Sequence, residues 1–404
     1  MGEIMLIHGI PVKFKLNYVV TTGLSFLISI LLGVFLGYWK TGTLLAWTLL
    51  FPTGLIYVKL FFLLTVPLIC MEVVCGTVRH LQMRRHAALR GRLWSFNTFN
   101  DLGAAVLGIV GGLLIGFSGV PVFRAATVDF ASMTLRTFFP ALLLLSVVVG
   151  FGADKTGEEG ETARRFFQSM SGVLCCAGEV LMKFLPVGVF FLVCPVVARH
   201  GVSVMLLPLK LILFTIFFGL FYAFLVCGYF LYRCGKDCPG HFFRYFKPVL
   251  LQAFSNSYSK MFEENAVRSL QRMGVGYAKG QEEFDFGRLF GSTGTVLYCT
   301  IACIAVAQYS GLGSGLELSL HAVIGIFLWV LLISQTNSDF PGAGLFCALA
   351  VIMVTGLRAE AAVLLVICEW ALSGIRSVVD VAFAGTGAYL ADKLGWDKEI
   401  KGDG

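Results

Sequence analysis

Ser334-Gln335-Thr336-Asn337-Ser338-Asp339-Phe340-Pro341-Gly342-Ala343-Gly344 is a polar, helix-breaking run between two apolar arms, Ala322 to Ile333 before it and Leu345 to Leu357 after it. A helix needs about 20 apolar residues to cross the hydrocarbon of a bilayer, and these arms have twelve and thirteen. Non-helical backbone survives at membrane depth only where protein or a water-filled cavity satisfies it. The segment therefore reads as a re-entrant hairpin whose tip sits near the midplane. A second stretch has the same form: Phe242 to Phe254 runs into Ser255-Asn256-Ser257-Tyr258-Ser259-Lys260 and returns through Met261 to Val275. The alternative, two ordinary spans kinked by Gly and Pro, would set consecutive polar residues against lipid.

The rest of the chain supplies the bilayer context. Its 404 residues are 57% hydrophobic and only 14% charged, with a mean hydropathy of +0.83, whereas about a quarter of the residues in a soluble domain are charged. This composition belongs to an all-α polytopic membrane protein. Spans are expected near 17–39, 54–78, 98–119, 132–152, 168–198, 203–232, 286–310 and 359–392, which makes eight crossings. Alternating them from a cytosolic N-terminus places seventeen Lys and Arg inside: Lys13, Lys15, five Arg from Arg79 to Arg92, Lys155, Arg164, Arg165, four from Arg233 to Lys247, and three in the tail. Six lie outside, namely Lys40, Arg124, Arg136, Arg199, Lys210 and Arg358. That bias puts both termini in the cytosol, and the net charge of +7 reads as orientation rather than nucleic-acid binding. The twelve Cys, mostly inside apolar runs, read as reduced, hydrophobe-like thiols. With only Lys13 and Lys15 before the first apolar run and no small-residue cleavage pattern, residues 17–39 read as a span rather than a removed signal peptide.

The last span carries a polar stripe, Glu369, Ser373, Arg376, Asp380 and Ala384, at spacings of 4, 3, 4 and 4. At helical periodicity these five lie within about an 80° arc. One charge at the bilayer centre costs about 2.5–3.5 kcal/mol on insertion scales, so three on one helix face a cavity or partners. They either neutralise one another along the helix, or Arg376 uses its planar fork to grip a carboxylate of a solute. A pair of interrupted segments in corresponding positions is the sequence pointer to a secondary transporter's binding site.

Taken in order, Phe62 to Pro67 with Leu68, Leu185-Pro186-Val187-Gly188-Val189-Phe190, Ala253-Phe254-Ser255, Gly294-Thr295, Leu297-Tyr298, Pro341-Gly342-Ala343-Gly344 and Arg376 resemble the dicarboxylate/amino acid:cation symporters, the family of the glutamate transporter homologues. The resemblance covers nearly the whole chain. It implies an elevator-type fold of eight transmembrane helices and two re-entrant hairpins, assembled as a homotrimer. Residues 1–78 (spans one and two) and 132–202 (spans four and five) would form a scaffold. The transport domain would comprise 79–131 (span three), 203–241 (span six), 242–275 (first hairpin), 276–311 (span seven), 312–357 (second hairpin, the gate) and 358–404 (span eight and a cytosolic tail).

The resemblance also implies site residues. Arg376 stands where the family binds the side-chain carboxylate, Ser257 and Ser259 in the serine-rich tip, Thr295 on the substrate-facing threonine, Gly344 near the gate, and Ser377 on the threonine after the arginine. The family's acidic residue one turn earlier, which takes the amino group, is Ser373 here. That favours a dicarboxylate over an acidic amino acid. The family's Asn-Met-Asp-Gly-Thr reads Gly291-Ser292-Thr293-Gly294-Thr295, its span-eight asparagine is Asp380, and the aspartate beyond it is Ala384. Positions of a third sodium site hold Asn97, Asn100 and Asp101, Gly287 and Gly291 flank the break in span seven, and cations appear at Arg288 and Lys260. The expectation is that Arg288 and Lys260 pair with Asp101 or Asp380 as fixed cations, with sodium dependence weakened or replaced by protons. Glu263 and Glu264 would then pair with Lys260, and Glu72 with Lys59.

The implied function is symport of small carboxylates through the plasma (inner) membrane, with Na+ or H+ as coupling ion and no other cofactor. An uncoupled exchanger, uniporter or anion channel of the same fold stays open. Cys234, Cys238 and His241 lack a fourth zinc ligand, and no nucleophile and base constellation points to an enzyme.

Overall fold

The computed structural model describes residues 14–84, 91–116, 133–255, 260–309, 318–335, 342–357 and 362–395, and every regular element among them is helical. The helices are α1 (Phe14–Gly37), α2 (Lys40–Leu45), α3 (Phe51–Arg84), α4 (Gly91–Ile115), α5 (Met133–Lys155), α6 (Glu161–Lys183), α7 (Leu185–His200) and α8 (Leu206–Cys234), followed by α9 (Cys238–Ser255), α10 (Lys260–Arg272), α11 (Tyr277–Phe290), α12 (Thr293–Tyr309), α13 (Leu320–Ser334), α14 (Ala343–Thr355) and α15 (Val363–Lys393). Five residues of π-helix, Ala46–Leu50, join α2 to α3.

Six segments are long and apolar enough to cross a membrane: 20–37, 40–82, 91–114, 138–155, 202–234 and 277–309. The pair α6 and α7 makes a seventh if taken as one span bent by 48°. The bend falls at Phe184, just ahead of Pro186, where a missing N–H is tolerated because it starts the next helix. α15 is 31 residues long and holds Glu369, Arg376 and Asp380 inside its apolar length. Compared with the expected spans, α4 starts seven residues before position 98, and the span placed at 286–310 is two helices separated by Gly291 and Ser292.

The two interrupted stretches are pairs of short helices. α9 packs on α10, and α13 packs on α14. Asn265 Nδ2 donates to Gln252 Oε1 at 2.9 Å across the first pair. α14 begins and ends at left-handed residues, Gly342 with φ 87° and Gly356 with φ 70°, conformations that Gly adopts at little cost. The tips, 256–259 and 336–341, lie outside the described residues, and with them Ser257 and Ser259.

α12 is buried along its whole length, Thr293 to Tyr309, as expected of a helix apolar on every side. Around it α4, α8, α13, α14 and α15 close a shell. α1, α3, α5, α6 and α7 pack chiefly on one another. The outward faces carry exposed Leu24, Leu27, Leu31 and Phe35 on α1 and Leu213, Phe217, Leu220 and Phe224 on α8, surface suited to acyl chains rather than water.

Small residues set the closest helix approach in the α1–α7 pair. Gly33 and Gly37 are four apart on α1. A Cβ on Gly33 would lie 2.7 Å from the Cys194 carbonyl oxygen, and one on Gly37 3.1 Å from that of Ala198. This is small-residue packing of the kind that lets membrane helices touch through their backbones. Gly33→Leu is expected to push α7 away at a cost of about 1–3 kcal/mol. The check is the Tm of the detergent-solubilised protein, which should fall; an unchanged Tm would show that the contact does not hold the pair.

Candidate functional site

The break between α11 and α12 organises the polar interior. A helix start leaves its first N–H groups without intrahelical partners, and in a membrane interior no water replaces them. Two carboxylates from other helices, Asp101 buried and Asp380 half-buried, meet them here. Asp380 of α15 accepts from the Gly294 N–H (2.7 Å) and the Thr295 N–H (3.3 Å) on Oδ1, and from the Thr295 hydroxyl (3.0 Å) on Oδ2. Asp101 of α4 accepts from the Thr293 hydroxyl (2.7 Å) and the Ser292 N–H (3.4 Å). Negative charge at a helix N-terminus is also favoured by the aligned peptide dipoles.

Asp101 has a third donor, Gln335 Nε2 at 2.6 Å, which ties the end of α13 to α4 and α12. The Gln335 backbone carbonyl in turn lies 3.3 Å from His80 Nε2 on α3. Gln335 stands in the polar run quoted first, yet nothing in the sequence marked it as a partner for a residue 234 positions away.

Arg376 is 7% exposed. Its Nη1 donates to the Thr295 hydroxyl at 3.1 Å and stands 4.0 Å from Asp380 Oδ2. Nε is buried with no partner among the described residues. Thr295 thus accepts from Arg376 and donates to Asp380. Gly344, the second residue of α14, lies directly on the guanidinium arm. A Cβ there would come within 2.7 Å of Arg376 Cδ and 2.9 Å of Nε. Ser373 and Ser377 are buried on α15 one turn before and one residue after the arginine. The structure therefore brings together Arg376, Asp380, Thr295 and Gly344, with Ser373 and Ser377 beside them on the same helix.

Asn97, Asn100 and Asp101 are buried on α4 beside the break. Both amide atoms of Asn97, Nδ2 of Asn100 and Oγ of Ser292 have no partner among the described residues. A Cβ on Gly291 would lie 3.0 Å from Asn97 Oδ1 and 2.6 Å from the Gly287 carbonyl oxygen. Unpaired polar atoms of this kind are costly unless a ligand meets them. Gly287 also rests on α15, so that a Cβ there would be 3.1 Å from Ala384 Cα. Close backbone contact occupies the face where the family's second aspartate would stand.

Two expected pairings are corrected. Arg288 does not neutralise Asp101 or Asp380, whose partners among the described residues are those just given. It sits instead 3.5 Å from Glu263 Oε2 of α10, because α11 presents it towards the outer arm of the first hairpin rather than along α12. Lys260 begins α10, and its side chain lies outside what is described. Glu72 accepts from Ser171 of α6 and, at 3.7 Å, from Cys175. Lys59 is on the same helix, thirteen residues or about 20 Å away at 1.5 Å per residue, and cannot reach it. Sequence reading also missed that Glu369, in the stripe, accepts from the Tyr298 hydroxyl at 3.0 Å.

The comparisons with known proteins accord with this architecture. The chain is 24% identical to the proton/glutamate-aspartate symporter of Escherichia coli (strain K12), over 92% of this chain and 89% of that protein. It is 22% identical to a proton/sodium-glutamate symport protein of Geobacillus stearothermophilus, over 91% and 92%. It is 24% identical to C4-dicarboxylate transport protein 3 of Bradyrhizobium diazoefficiens, over 93% and 89%. A family model described as the sodium:dicarboxylate symporter family matches residues 23–394. A match over that length, on an all-helical chain with a buried polar centre, makes this an integral membrane transporter and not an enzyme: it belongs to the sodium:dicarboxylate symporter family.

Proposed function

We propose that the chain is a secondary active symporter of small carboxylates in the plasma membrane, working by an elevator movement. The observation that carries this is the buried Arg376. Its guanidinium makes one hydrogen bond to Thr295 and a long ion pair to Asp380, which leaves donors of the fork for a carboxylate. Asp380 does not compete for them, since its oxygens already accept three hydrogen bonds from α12.

The packing supports the movement. α4, α8, α11, α12, α15 and the two helix pairs form one group, and α1, α3, α5, α6 and α7 another. In this reading the first group is the transport domain and the second the trimer-forming scaffold, with eight crossings, two re-entrant hairpins and both termini in the cytosol. α14 touches the scaffold group through Phe346, whose ring lies 5.3 Å from that of Phe61, as a gate must. Gly344, Ser373 and Ser377 lie around the guanidinium, and the resemblance adds the serines Ser257 and Ser259, which lie outside the described residues, to the substrate site.

Relatives that carry glutamate and relatives that carry C4-dicarboxylates both match this chain. The hydroxyl of Ser373, where the family has an acid for the ammonium, directs the reading to a dicarboxylate. A coupling cation, Na+ or H+, would be held on the polar atoms of Asn97, Asn100, Asp101 and Ser292 with the Gly287 and Gly291 backbone. A second reading, an uncoupled exchanger, draws on Asp380: three hydrogen bonds from α12 engage this carboxylate, at a position the resemblance gives to a cation ligand.

Labelled succinate and glutamate uptake into proteoliposomes, with sodium replaced by choline and with or without an inward proton gradient, tests the assignment. Succinate accumulation that needs a cation gradient is the expected result. Counterflow without accumulation would select the exchanger, and no flux of either solute would defeat both. Arg376→Ala should reduce succinate affinity by roughly 10- to 100-fold, from the loss of charge-assisted hydrogen bonds of about 1.5–3 kcal/mol, while assembly is unchanged. Ser373→Asp should raise aspartate affinity relative to succinate, measured by calorimetry; the opposite order would remove the specificity role given to this position.

A further inference from the structure

Glu369 lies two turns before Arg376 on the same face of α15, about 10 Å along the axis, and is fully buried. One carboxyl oxygen accepts from the Tyr298 hydroxyl at 3.0 Å. The other, Oε1, has no partner among the described residues. Burying an ionised carboxylate is costly unless hydrogen bonds and an opposite charge compensate it. The titratable and charged groups that interact with it are Tyr298 from α12, and Cys368 and Arg376 from α15. Arg376 is the one cation among them.

These neighbours decide what Oε1 can take. A sodium ion needs a shell of hard oxygen donors, of the kind hard cations collect from carboxylates, carbonyls and water. The titratable groups here are one thiol and one phenol that already points its hydrogen at Oε2. A second cation, metal or ammonium, would also meet the repulsion of Arg376. A proton needs only the free lone pair.

We propose that Glu369, held by Tyr298, carries the proton that travels with the anionic solute. The proposal rests on the carrier reading above and adds the group through which coupling occurs. Ionised, Glu369 places a negative charge two turns from the guanidinium and weakens its hold on an incoming carboxylate. Protonated from outside, it leaves the guanidinium's charge to the solute, so proton and anion bind with positive and reciprocal coupling. In the cytosol-facing state the proton leaves Oε1 and the anion's affinity falls. Tyr298 also touches Gly344, whose Cβ would lie 3.1 Å from Tyr298 Cε1. The protonation state is thereby adjacent to the start of α14.

The full-length protein in proteoliposomes loaded with a pH-reporting dye tests this with succinate. The wild type should acidify the lumen as succinate enters and accumulate it under an inward proton gradient. Glu369→Gln, which fixes the neutral form, should keep succinate counterflow within about threefold of wild type while lumen acidification and proton-driven accumulation fall at least tenfold. Glu369→Asp should keep proton-linked accumulation, and Tyr298→Phe should shift its pH profile. Acidification by Glu369→Gln at the wild-type rate overturns the proposal, as does loss of counterflow in both the Gln and Asp variants, which would make the residue structural. Wild-type succinate flux without acidification also overturns it and leaves the carrier reading intact, whereas no wild-type flux defeats the carrier reading itself.

Discussion

The interior depends on one constraint: the N-terminus of α12 is buried, and its N–H groups and hydroxyls have to be met without water. Asp101 and Asp380 meet them from two different helices. Because each carboxylate is committed to the same helix start, α4, α12 and α15 are held in register at one level. Gln335 brings α13 to the same point through Asp101. An unsatisfied backbone group in a bilayer interior costs several kcal/mol, so this arrangement is enforced rather than incidental. It also explains why the break at Gly291 and Ser292 is compatible with a stable core.

Arg376 is placed by the same scheme. Its hydrogen bond to Thr295 attaches it to the start of α12, and Asp380 one turn later balances its charge at a distance too long for a direct hydrogen bond. Glycine lets the backbones approach. A Cβ on Gly294 would fall 2.3 Å from the Arg376 carbonyl oxygen, so α12 and α15 touch through main chain at this level. Gly344 does the same for α14 against the guanidinium arm. The helices therefore meet here through backbone, which is stiff, and the polar groups come from a few side chains projecting from it.

The two pairs of short helices, the burial of Glu369, Ser373 and Arg376 on α15 and the family were legible in sequence, because each is written in local spacing: short apolar arms around a polar run, or polar residues at helical intervals. Partner choice was not. Asp101 and Gln335 are separated by 234 positions, and Glu72 and Ser171 by 99, and no periodicity links such residues. The pairing of Arg288 failed for a related reason. Its identity suggested a fixed cation for the nearest functional carboxylates, but its direction around α11 is set by how that helix packs on α10 and α15. That direction takes it to Glu263. Glu369 was visible as a member of the stripe, while its partner Tyr298, contributed by another helix, was not.

The charges at the centre of the described structure bear on coupling. Arg376 is opposed by buried Asp101 and Glu369 and half-buried Asp380, and the Arg288 charge is offset beside Glu263. With every carboxyl ionised, this centre is net negative before any solute arrives, and a dicarboxylate would add two further negative charges to it. One guanidinium cannot balance that sum in a medium where each uncompensated charge is heavily penalised. In the reading proposed above, anion entry is favoured when cations or protons enter with it, and the electrostatics of these groups support such coupling. The Asp carboxylates are fixed by the helix they cap, which leaves the less constrained Glu369 and the unpaired polar atoms around Asn97 as the places where added positive charge is accommodated with least rearrangement.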